Sequence, residues 1–114
     1  MRATFTLLVA GALAAAAGAS LAEAWAQAQA PGIRVSQKGL TFTPATIVAP
    51  VGAKVEFAND DNVVHNVYSA SAAGAFDLKA QYPGDAATIV LARRGVLDVR
   101  CALHPRMRMS ITIE

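Results

Sequence analysis

Gly95-Val96-Leu97-Asp98-Val99-Arg100-Cys101, continuing as Ala102-Leu103-His104-Pro105-Arg106-Met107, is the stretch that decides what this chain can be. Leu97, Val99 and Cys101 alternate with charged neighbours, the period of a strand with one face in a core. Pro105 has no N–H to offer a ladder, so the strand must end and a loop must follow. In a tight loop with about three residues per turn, positions i, i+3 and i+6 face a common centre, so Cys101, His104 and Met107 can converge. A thiolate, an imidazole and a thioether together suit a soft, redox-active metal. His65 is the only other histidine and Cys101 the only cysteine in the 114 residues, so the strong soft donors make up one His₂CysMet set. Two imidazoles and a thiolate in a plane with a long axial thioether is the blue-copper arrangement for electron transfer.

Upstream the same strand-and-turn grammar continues. Ile33 to Ser36 alternates, Ala45 to Ala49 follows Pro44, and Pro50-Val51-Gly52 turns into Lys54 to Ala58. Asn59-Asp60-Asp61-Asn62 breaks that strand, and Val63 to Ser69 is a further extended segment carrying His65. Thr88 to Leu91, Val96 to Cys101 and Ser110 to Glu114 complete the set. Ala70 to Gln81 is rich in helix formers and admits a helical turn. Seven or eight short strands without a long 3.6-residue period predict an all-β, two-sheet Greek-key sandwich.

The first residues read differently. Arg2 followed by an Ala-rich apolar stretch from Leu7 to Leu21, then Ala24-Trp25-Ala26 and Ala26-Gln27-Ala28, has the form of a secretory signal peptide over residues 1–28, cut after Ala26 or Ala28. The expected product is a single domain over residues 29–114, periplasmic or otherwise exported, and not membrane-spanning. In that part nine Lys and Arg face seven Asp and Glu, a balance that gives no reason to expect nucleic-acid binding. A lone cysteine in an exported chain cannot form an internal disulfide, and use as a metal thiolate protects it from oxidation. Haem attachment would need C-x-x-C-H, structural zinc more Cys or His, and Cys–His nucleophilic catalysis an orienting Asn or Asp, so no enzyme is expected.

Cys101-x-x-His104-Pro105-x-Met107 with its preceding strand and terminal Ile-Thr-Ile, together with Phe42-x-Pro44, Val55-x-Phe57-x-Asn59-x-Asp61 and His65-Asn66-Val67, resembles the cupredoxins. The short ligand loop is most similar to that of amicyanin. The resemblance implies a copper-carrying β-sandwich with His65, Cys101, His104 and Met107 as ligands and electrons leaving by the exposed edge of His104. A plastocyanin-like loop would instead put the axial donor at Met109. Met107 is preferred because it leaves Arg108, Met109 and Ser110 before the closing Ile111-Thr112-Ile113 strand, the interval seen in the family.

Three departures from the family pattern carry expectations of their own. Ala102 replaces a hydroxyl residue, which leaves Asn66 to bond backbone instead. Arg106 and Arg108 give the copper pole a basic cast that fits a redox partner presenting carboxylates. Leu103 stands where amicyanin-like loops have proline, so its N–H can reach the Cys101 sulfur. The chain is thus expected to be a monomeric one-copper electron carrier serving a redox donor and acceptor. A copper carrier that delivers metal to an oxidase is the alternative.

Overall fold

The computed structural model describes residues 20–22 and 32–114. The expected signal peptide and its cleavage points lie largely outside the described residues. Residues 32–114 form nine strands: β1 (Gly32–Gln37), β2 (Phe42–Thr43), β3 (Thr46–Ala49), β4 (Lys54–Asn59), β5 (His65–Ser69), β6 (Phe76–Gln81), β7 (Ala86–Val90), β8 (Gly95–Cys101) and β9 (Arg108–Ile113). They make two sheets, β2-β1-β4-β7 and β3-β9-β8-β5-β6, packed face to face. Two pairings, β1 with β4 and β3 with β9, are parallel, and the rest are antiparallel.

The alternation seen in the sequence is the inside–outside alternation of the sandwich. Val35, Val55 and Phe57 of one sheet meet Ile47, Val67, Leu97, Val99, Met109, Ile111 and Ile113 of the other, all buried. Phe57 lies between Phe42, edge-on at 6.4 Å between ring centroids, and Phe76 at 5.9 Å, so aromatic packing carries the core across the gap.

Two expectations change. The count is nine because two strands join the seven segments read from the sequence: β6, and the two-residue β2 on β1, too short to show periodicity. Within Ala70–Gln81 only a single turn closes, Gly74 N–H to the Ser71 carbonyl at 3.1 Å, and the rest is not helical: Phe76–Gln81 is a strand paired with β5, and Phe76 packs on the core. Burial and pairing override the local helix preference of Ala, Leu and Lys.

Candidate metal centre

Register explains why the predicted donors meet. Val67 of β5 lies opposite Cys101 of β8, and the odd-numbered positions of both strands face the core. Cys101 is therefore the last inward position of its strand. His65 is the inward position one pleat beyond Val67, at the same pole. The 102–107 loop then folds back over the end of the sheet. Cys101 N–H donates to the Met107 carbonyl at 3.2 Å and Met107 N–H to the His104 carbonyl at 2.9 Å, the tight-turn geometry that brings the loop's donors round to one side.

His65 Nδ1 and His104 Nδ1 are 3.2 Å apart, and the Cys101 sulfur is 3.9 Å from the first and 3.6 Å from the second. Donors at about 2.0–2.3 Å from one ion in a trigonal plane would stand roughly 3.5–3.8 Å from one another, so the triangle has the right size for a metal. His65 is fully buried, Cys101 nearly so, and His104 partly exposed. His65 donates its Nε2–H to Asp61 Oδ2 at 2.7 Å, which leaves Nδ1 as a bare lone pair turned toward His104 Nδ1. At 3.2 Å the two Nδ1 atoms share either a proton carried by His104 or a cation held by both. The donor set fits copper by its chemistry, because imidazole and thiolate together suit that metal.

Met107 is buried and lies just before β9, where the Arg100–Arg108 pairing puts it level with Cys101. Met109 pairs with Val99, one pleat deeper in the core. Of the two methionines, Met107 is thus the one at the level of the donor triangle.

Around the donors the structure departs from several expectations. The sulfur takes its backbone hydrogen bond from Asn66 N–H at 3.3 Å rather than from Leu103. Ala102 N–H is engaged by the Asn66 carbonyl at 3.3 Å, and Leu103 turns its side chain outward. The expectation for Asn66 holds: its side chain bonds backbone, donating to the Lys79 carbonyl at 3.1 Å, and also donates to Asp77 Oδ1 at 2.8 Å, which braces the edge strand. Arg108 leans along the sheet face to within 3.8 Å of Asp98, so Arg106 alone of the two arginines lies beside the site.

Asp61 lies outside the donor set expected from the sequence, although its place four residues before His65 is a visible signal. Burial alone would push its carboxyl pKa up. The bond from His65 and the N–H groups of Leu40 and Gly39 outweigh that and hold the pKa below the usual carboxylate range. Beside His104 an open groove of about 600 Å³ is lined by Leu40, Leu103, Pro105 and Arg106.

A family model described as copper-binding proteins of the plastocyanin/azurin family matches residues 30–114. The chain belongs to that family. Among solved structures, this cupredoxin resembles a purple cupredoxin from Nitrosopumilus maritimus, at 24% identity and a TM-score of 0.65, over 72% of this chain and 99% of that one. A methionine-to-alanine mutant of amicyanin in its Cu(I) form aligns at 20% identity and a TM-score of 0.68, over 77% of this chain and 89% of the other. The Cu-containing nitrite reductase NirK from Thermus scotoductus SA-01 aligns at 25% identity and a TM-score of 0.67, over 74% of this chain but only 22% of the enzyme. Comparison with curated protein sequences finds no significant match. Among the described residues no helix is long and apolar enough to cross a membrane.

Proposed function

We propose that this cupredoxin is an exported blue copper protein that carries single electrons between redox partners, with His65, Cys101, His104 and Met107 as the residues that would hold the copper. The observation that carries the reading is the triangle of His65, Cys101 and His104 donor atoms, 3.2–3.9 Å on a side, drawn from two separate parts of the chain. Bound copper supplies a one-electron Cu(II)/Cu(I) couple. The residues supply the rest. His65 and Cys101 are held by strands that cannot shift without disturbing the core, so the donor positions change little between oxidation states. The Asn66 N–H at the sulfur withdraws charge from the thiolate, which favours the reduced metal. His104 is the donor with an exposed edge, and it forms part of the groove wall.

That groove supports the partner side of the proposal. Leu40 and Leu103 are about half exposed beside His104, and Val63 is 39% exposed in the loop that precedes His65. A partner with an apolar patch opposite Leu40 and Leu103 and a carboxylate opposite Arg106 fits this surface. Export is supported by the Arg2 to Ala28 pattern.

The deciding experiment is the visible spectrum of the purified protein after addition of one equivalent of Cu(II). An intense thiolate-to-copper band that disappears in Cys101→Ser supports the electron carrier. A colourless protein that retains only Cu(I) supports the copper carrier instead.

A further inference from the structure

Asp61 is the carboxylate that touches a histidine of the donor triangle. Its Oδ1 accepts Gly39 N–H at 2.6 Å, and its Oδ2 accepts Leu40 N–H at 3.1 Å and His65 Nε2–H at 2.7 Å. Its own N–H donates to Asn59 Oδ1 at 2.9 Å. Asn59 is fixed in turn by the carbonyls of Val63 and Gln81, each 2.8 Å from its Nδ2. Both the backbone and the carboxylate of Asp61 are therefore held, with the side chain only 11% exposed.

The turn that grips the carboxylate adopts a costly backbone shape. Leu40 has φ +56°, a left-handed conformation in which the Cβ of any residue but glycine crowds the following carbonyl, and Gly39 beside it has φ +63°. Two successive left-handed residues turn consecutive N–H groups toward one acceptor, a concavity suited to an anion. The anion there is Asp61, and its remaining contact is the ring of a buried histidine. A carboxylate that accepts the outer N–H of a ligating imidazole fixes the tautomer and the ring angle, and it raises the basicity of the other nitrogen.

We propose that Asp61 is the positioning residue for His65. It locks the Nε2–H tautomer and makes Nδ1 a stronger donor to the oxidised than to the reduced metal. The inference rests on the copper electron-transfer reading for its redox consequence, but the tautomer is a property of the metal-free protein. Asp61 contacts no donor atom of the triangle and acts only through the ring of His65.

The test has two arms. In metal-free protein, long-range ¹H–¹⁵N correlation at neutral pH should show His65 with Nε2 protonated and Nδ1 bare. Asp61→Asn should mix the tautomers, and Asp61→Glu, which keeps the charge, should restore the single form. In copper-loaded protein, Asp61→Asn should lose about tenfold more affinity for Cu(II) than for Cu(I). That is a rise of about 59 mV in midpoint potential, with the Glu variant close to the parent. A parent His65 protonated at Nδ1 would overturn the proposal without recourse to any variant, and so would an Asn variant with unchanged tautomer and potential. Absence of a blue band in the parent would instead count against the copper reading and leave the tautomer result standing.

Discussion

Gln37 and Gln81 form a buried amide pair beneath the metal pole, and their unequal partners predict unequal costs of substitution. Gln81 Nε2 donates to the Phe57 carbonyl at 3.1 Å, so its Oε1 must face the other way, where it accepts Gln37 Nε2 at 2.7 Å. Gln37 Oε1 is then left buried with no partner. Methionine matches glutamine in length and has no strong polar group. Gln37→Met removes the unpartnered oxygen and strands another, Gln81 Oε1, so one stranded group replaces one and the change should lie within about 1 kcal/mol of neutral. Gln81→Met instead strands Gln37 Nε2 and takes the second donor from the Phe57 carbonyl, which keeps its ladder partner in β7. At about 1–3 kcal/mol for a stranded group, the loss is about 1–3 kcal/mol. The double variant leaves only the Phe57 carbonyl affected and should be more stable than Gln81→Met alone. Urea unfolding of the metal-free proteins reads all three. Equal losses in the two single variants, or a double variant worse than Gln81→Met, would refute the assigned amide orientations and with them the argument from the Phe57 carbonyl.

Met107→Leu and Met109→Leu should both fold with less than about 1.5 kcal/mol lost, but only the first should raise the potential of a still-coloured protein; voltammetry showing the reverse would move the axial donor to Met109. Asp60 is held by Arg34 and the Ser36 hydroxyl, and its pKa is lowered, so its stabilisation is fully present above the unfolded value near ~3.9 and is lost as pH falls through the lower folded value. The stability gap between parent and Asp60→Asn should therefore be widest near neutral pH and close as acid takes the solution down through the lowered folded-state value, as followed by urea unfolding across pH. Trp25 is the only tryptophan in the sequence, so an intact mass of the exported product that includes it would overturn cleavage after Ala26 or Ala28.

What the sequence reveals, and what it hides, follows from the range of the interactions involved. β1, β4 and β8 announce themselves because each alternates on its own, and Cys101, His104 and Met107 lie within a single loop. His65 can be added because no other histidine is available. Phe76 to Gln81 misleads because its residues favour a helix in isolation, whereas pairing with β5 and packing on Phe57 decide the outcome. The donor to the sulfur is hidden for a similar reason. Leu103 is near Cys101 in the chain, but the Val67–Cys101 register delivers Asn66 instead. Asp61 is signalled by its place four residues before His65, but the Gly39–Leu40 turn that grips its carboxylate lies more than twenty residues upstream, and no local pattern reports that contact.

The place of β9 bears on the order in which the domain can form. It is the last strand in chain order, yet it lies inside its sheet, parallel to β3 on one side and antiparallel to β8 on the other. Until it arrives, β3 has no neighbour in that sheet and β8 presents an open row of N–H and C=O groups. Ile111 and Ile113 are also missing from the core. The five-stranded sheet therefore cannot close by stages before β9 is available. The triangle of donors is completed at the same late moment, because the loop that carries His104 is anchored by the strand that follows it. The folded form of the metal site therefore depends on β9 being in place.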